Sequence, residues 1–153
     1  MPGHKETITT AALFDVLLGL LEAEQGSVFR FMRHGSPYLT RATVETRRQI
    51  EAIADANQRH AAQLAELITR MGGLMGPRLV HPEDQYLAYL SLKFLLPKLA
   101  NAKRETIERY QNALRALKGA PAEVREMLES HLAEHRAQLD MLVGASRETV
   151  VRT

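Results

Sequence analysis

Two histidines one helical turn apart, His131 and His135, lie in the segment LESHLAEHRAQLDML, Leu128 to Leu142. With ~100° of rotation per helical residue, Val124, Leu128, Leu132, Leu139 and Leu142 gather on one side of the helix this segment predicts. His135 falls near the centre of that side and His131 a short arc away. Both imidazoles therefore point into a core. An unpaired polar group taken out of water costs about 1–3 kcal/mol, so each ring needs a hydrogen-bond partner or a cation. A His-x-x-x-His pair on one helix face can clamp a single metal ion.

Similar oddities recur along the chain. In AALFDVLLGLLEAEQGSVFRFMRHG the apolar side holds Leu13, Leu17, Leu20, Leu21, Val28 and Phe31, with Glu24 near its middle, whereas Glu22 points nearly the other way. A carboxylate inside an apolar stripe must be paired, protonated or bound to a cation. A second stripe, Ile50, Ile53, Ala54, Ala61, Leu64, Leu67, Ile68 and Met71, contains Asn57 and His60. A third, Leu99, Ala102, Tyr110, Ala113 and Leu117, contains Lys103 and Thr106.

The elements that must position these residues are helices. Ala, Leu, Glu, Arg and Gln are abundant and aromatics scarce, a helical composition in a chain of 153 residues, which suits one domain. The helices are expected at about residues 9–34, 40–71, 83–118 and 121–143, with 144–153 a polar tail. Thr7, Thr9 and Thr10 offer N-caps for the first. Gly35, Ser36 and Pro37 mark the next turn, and Gly72-Gly73 ends the second helix. The segment GGLMGPRLVHP reads as a connection with His81 exposed. Pro97 predicts a kink or break in the third helix, where the apolar phase shifts from Leu87, Leu90 and Phe94 to the stripe beginning at Leu99. KGAP, Lys118 to Pro121, is short enough to make helices three and four antiparallel neighbours.

Four apolar stripes predict an all-α four-helix bundle. Counted from the turns, Glu24, Asn57, His60, Lys103 or Thr106, His131 and His135 lie at similar depths and form one polar layer. Three imidazoles and a carboxylate are a competent set for Fe²⁺ or Zn²⁺. The same groups can also close on themselves as a metal-free hydrogen-bond network, and Lys103 favours that, because an ammonium disfavours a divalent cation and can itself neutralise Glu24.

Several classes of function are excluded or disfavoured. With no cysteine, thiolate metal sites, disulfides and thiol nucleophiles are excluded. Lys and Arg total 20 against 18 for Asp and Glu, with no basic run, so neither nucleic acid nor membrane is an expected partner. No run of ~18 apolar residues and no signal-peptide core are seen, so a soluble, cytoplasmic protein is expected. There is no recognisable Ser-His-Asp arrangement or phosphate-binding loop.

The pattern resembles the ferritin-like superfamily in its rubrerythrin and bacterioferritin branch. There, helices one and three each supply a Glu, helices two and four each supply Glu-x-x-His, and the core holds two irons. Glu24 matches the first-helix position, NQRH (Asn57 to His60) the second-helix motif and LAEH (Leu132 to His135) the fourth. Asn57 and Leu132 stand where bridging carboxylates belong, and the third helix offers Lys103 or Thr106 in place of Glu. The resemblance implies a ferritin-like bundle with a degenerate site: metal ligands Glu24, His60, His131 and His135 around one Fe or Zn ion, with Asn57, Lys103 and Thr106 behind them, in a homodimer. The other reading is a metal-free interaction or scaffold bundle whose Glu/His/Asn layer is structural. The residues leave open whether the chain follows a ferritin-like crossover or runs up-down-up-down.

Overall fold

A computed structural model of the chain describes residues 9–30, 44–74 and 92–151, with side chains through Glu148. His81, Leu87, Leu90 and the expected helical stretch 83–91 lie outside the described residues. Four helices are seen, α1 (Thr10–Gln25), α2 (Val44–Arg70), α3 (Leu92–Ala116) and α4 (Ala122–Val151), and no strand occurs among the described residues. No helix there is long and apolar enough to cross a membrane.

Local chemistry sets the ends. Thr9 caps α1, its Oγ1 accepting the Ala12 N–H at 3.2 Å. Gly26 closes that helix, earlier than residue 34, and a short 3₁₀ turn over 28–30 follows. This change of phase turns Phe29 inward to 1% exposure, while Val28 is only partly buried. Gly72 closes α2 just beyond Arg70, and its φ of 83° is costly for any residue with a side chain. Gly72 N–H donates to Thr69 C=O and Gly73 N–H to Ile68 C=O, a Schellman closure. Gly72→Ala is therefore expected to cost about 1–2 kcal/mol in urea unfolding. Gly73 is required for a different reason, since a Cβ there would come within 2.9 Å of the Phe14 ring.

α3 runs through Pro97 without a break. Pro97 lies on the solvent side of α3, where water can satisfy the carbonyl its missing N–H leaves free. Within the described residues Leu92, Leu95, Leu96, Leu99, Lys103, Ile107 and Tyr110 form one buried stripe on both sides of Pro97. Phe94, read as inward, is 61% exposed. α4 continues past Gly144 to Val151, because Leu142 and Ala145 pack into the core and outweigh the roughly 1 kcal/mol cost of an internal glycine.

Two hydrophobic clusters reveal the topology. One joins Leu13 and Leu17 to Leu64, Leu67 and Ile68, then to Ala113, Leu117, Val124 and Leu128. The other joins Phe29 to Ile50 and Ile53, Leu92, Leu95 and Leu96, and Leu142 and Ala145. The start of α1 thus shares one end of the bundle with the end of α2, the end of α3 and the start of α4. α2 and α3 run in the same direction, so the chain between them joins opposite ends of the bundle. This is the crossover order and not up-down-up-down. Between the two apolar clusters lie six buried polar side chains: Glu24, Asn57, His60, Lys103, His131 and His135.

Candidate metal centre

Every helix contributes to this layer. Glu24 stands in the last turn of α1, Asn57 and His60 near the middle of α2, Lys103 and Tyr110 on α3, and His131 and His135 on α4. Glu24 is its hub. Its Oε1 accepts the Tyr110 hydroxyl proton at 2.7 Å, lies 2.5 Å from His135 Nε2 and 3.3 Å from His60 Nδ1. Its Oε2 is buried without a partner, as is His60 Nδ1.

The other ring nitrogens are engaged. His60 Nε2 lies 3.0 Å from Glu134 Oε2, and Arg59 holds Glu134 from the outer side. His135 Nδ1 lies 2.9 Å from Lys103 Nζ, which also donates to Gln138 Oε1 at 2.8 Å and Asn57 Oδ1 at 3.4 Å. His131 Nδ1 lies 3.1 Å from Tyr110 Oη and its Nε2 2.7 Å from Gln63 Oε1. The His60 and His131 rings stack with centroids 4.1 Å apart.

These contacts shift the ionisations. Burial by itself would raise the Glu24 carboxyl, but the contact with His135 and the proximity of the His60 ring bring it down to about 2. Burial lowers Lys103 to about 8 against the opposing pull of Glu24. His131 is lowered to about 4, first by burial and then by His60. His135 is also lowered, with burial outweighing Glu24. Burial pushes the Tyr110 phenol up and Glu24 pushes it further, so it stays a hydrogen-bond donor.

Of the residues expected to form a site, Glu24, His60 and His135 converge: each offers a ligand atom, all within 4.8 Å of one another. His131 lies in the same layer but outside this group, with both its nitrogens engaged by Tyr110 and Gln63. Lys103 contacts His135 Nδ1, and Asn57 contacts Lys103. Thr106 does not reach the layer; its hydroxyl turns to the Ala102 carbonyl of its own helix at 3.2 Å. α3 is rotated so that Lys103 and Ile107 face inward, with Thr106 at the edge.

Sequence reasoning did not single out Glu134, Gln63, Gln138 or Ser27, and left Tyr110 as a stripe residue without a role. Gln63 and Gln138 each follow an inward histidine by three residues, a spacing that shares its face. Glu134 has the same spacing after His131, and it reaches His60 because α2 and α4 are neighbours. Ser27 joins through its Oγ, which accepts from Asn57 Nδ2 at 3.1 Å, after α1 has ended. A cavity of about 390 Å³ between α1 and α2 has Glu24, Ser27, Asn57 and Ala61 in its wall, placing the layer beside open space.

No protein-family model matches the chain, and no curated protein matches it. Among solved structures, one of ferritin-like, diiron-carboxylate proteins from Bacillus anthracis str. Ames superposes with a TM-score of 0.70 at 19% identity, covering 91% of this chain and 99% of that one. The fold is ferritin-like. The helix order and the crossover deduced from the two apolar clusters belong to that fold, and the layer in the middle of the ferritin-like bundle contains a three-residue group with the donor set of a metal site.

Proposed function

We propose that this ferritin-like protein takes a single divalent ion, Fe²⁺ or Zn²⁺, on Glu24, His60 and His135, and is not an iron-storing ferroxidase. The observation that carries the reading is a pair of buried electron-pair donors with nothing to share: Glu24 Oε2 and His60 Nδ1. With its Nε2 proton directed at the Glu134 carboxylate, a neutral His60 turns a bare lone pair toward Glu24. Each such orphan costs about 1–3 kcal/mol, and one cation between them would satisfy both. A bound ion would supply a Lewis-acid centre held by two imidazoles and one carboxylate.

A second ion does not fit the donors present. Asn57 is tied to Ser27 and Lys103, and Leu132 packs in an apolar cluster, so neither replaces a bridging carboxylate. Glu24 is the only fully buried carboxylate among the described residues. We assign the chain to the rubrerythrin and bacterioferritin branch with this incomplete ligand set, on the alignment of Glu24, Asn57 to His60 and Leu132 to His135 with that branch's motifs.

One observation favours a different reading, a metal-free interaction or scaffold bundle whose layer only fixes helix register. The Lys103 ammonium contacts His135 and already balances Glu24. Metal content and melting temperature separate the two. Untagged protein purified without chelator is expected to carry up to one Fe or Zn per chain by elemental analysis. Ion at 100 times Kd should add about 2.7 kcal/mol, or roughly 5–10 °C in Tm for a domain of this size. His60→Ala and His135→Ala should each abolish that increment. No bound metal together with an unchanged Tm on adding Fe²⁺ or Zn²⁺ would leave the scaffold reading.

A further inference from the structure

His135 presents its two ring nitrogens to groups of opposite kind. Nε2 faces the Glu24 carboxylate at 2.5 Å and Nδ1 faces Lys103 Nζ at 2.9 Å. Lys103 is 1% exposed, and its two other partners, Gln138 Oε1 and Asn57 Oδ1, are carbonyl oxygens that only accept. The Asn57 amide is oriented by its own donation to Ser27 Oγ, which also takes the Phe29 N–H. An ammonium has three protons and no lone pair, and here it meets three acceptors. Its third proton goes to His135 Nδ1, so the single proton of the neutral ring sits on Nε2, where Glu24 accepts it. The Phe29 ring, 4.7 Å from Nζ, covers part of the remaining surface of the ammonium.

This is the reverse of an ordinary metal-binding histidine. In those, the far nitrogen donates to a carboxylate or carbonyl, which leaves the near nitrogen's lone pair for the metal. Here the far nitrogen is obliged to accept, and the near nitrogen carries the proton.

We propose that Lys103 controls the cation affinity of the core by locking His135 in the Nε2–H tautomer, so that a hydrogen-bond acceptor at position 103 turns His135 into a free ligand. An ion that takes His135 Nε2 must displace that proton and reverse the ring's tautomer against an ammonium, which keeps the native site weak. The affinity part rests on the single-ion reading of the core; the tautomer part does not.

Long-range ¹H–¹⁵N spectra of the full-length wild-type protein, with His135 assigned by its loss in His135→Gln, should show a protonated Nε2 and a bare Nδ1. A protonated Nδ1, or a doubly protonated ring, overturns the proposal even if no position-103 variant folds. Co²⁺ titration followed by visible absorption gives the second arm. Lys103→Gln, whose carbonyl can accept from Nδ1, should bind Co²⁺ at least about tenfold more tightly than wild type, whereas Lys103→Arg, which keeps a donor, should stay within about threefold of it. Equal affinity in Lys103→Gln and wild type, including no binding by either, overturns the proposal. Binding by Lys103→Gln where wild type takes no Co²⁺ supports it and refutes the single-ion reading of the native site.

Discussion

Glu24→Ala is expected to destabilise the protein by about 3–5 kcal/mol, the cost typical of breaking a buried ion pair from one side. The carboxylate is 4% exposed and is the acceptor for Tyr110 and for His135. Without it two buried donors lose their partner, and the Lys103 ammonium loses the negative charge that balances it across the His135 ring. Urea unfolding followed by circular dichroism measures the loss. Lys103→Met in the same background should recover a substantial part, because the charge left stranded is then gone as well. The two substitutions would then couple by well over 0.5 kcal/mol. If they are additive, or if Glu24→Ala costs under about 1 kcal/mol, Glu24 and Lys103 are not partners across the core.

Acid should weaken the fold well before ordinary carboxylates titrate. His131 keeps its neutral form down to about 4 in the native state against 6.5 ordinarily. Between those values the unfolded chain binds a proton that the native chain refuses, so stability falls as pH falls. The difference corresponds to about 3 kcal/mol, fully present above pH 6.5 and lost on approaching pH 4. His135, also depressed by burial, acts in the same direction. Glu24 extends the loss lower: its carboxyl lies near 2 against 4.5 ordinarily, so its contribution declines as pH falls from 4.5 toward 2. Chemical denaturation at a series of pH values should therefore show a fall beginning near pH 6.5. His131→Gln should flatten the part between 6.5 and 4. A wild-type profile level from pH 7 to 4 would mean that these rings take up protons as readily in the folded protein as in the unfolded chain.

The six polar residues of the layer were legible because helical periodicity reports which face a residue occupies, and Glu24, Asn57, His60, Lys103, His131 and His135 all fall on apolar faces and are all buried. Periodicity says nothing about reach. Thr106 and Lys103 lie three positions apart on α3, and a modest rotation of that helix brings the lysine in and leaves the threonine to its own backbone. Glu134 lies three residues after His131 and one before His135, at the edge of the apolar face, and periodicity does not say what it meets there. It is the edge of α2 that puts His60 within its range.

The sequence by itself determined the helical class, the position of the short α3–α4 connection, the glycine stop after α2 and the inward polar layer. All of these follow from local propensity and the 3.6-residue repeat. Only the tertiary structure decided the parallel course of α2 and α3, since the chain between them suits either topology until the end clusters form. Tertiary structure also separated His135 from His131. Both rings face inward from one helix, yet one meets Glu24 and Lys103 while the other meets Tyr110 and Gln63. Partners on other helices, set by how four rods pack, gave the two histidines of one motif different chemistry.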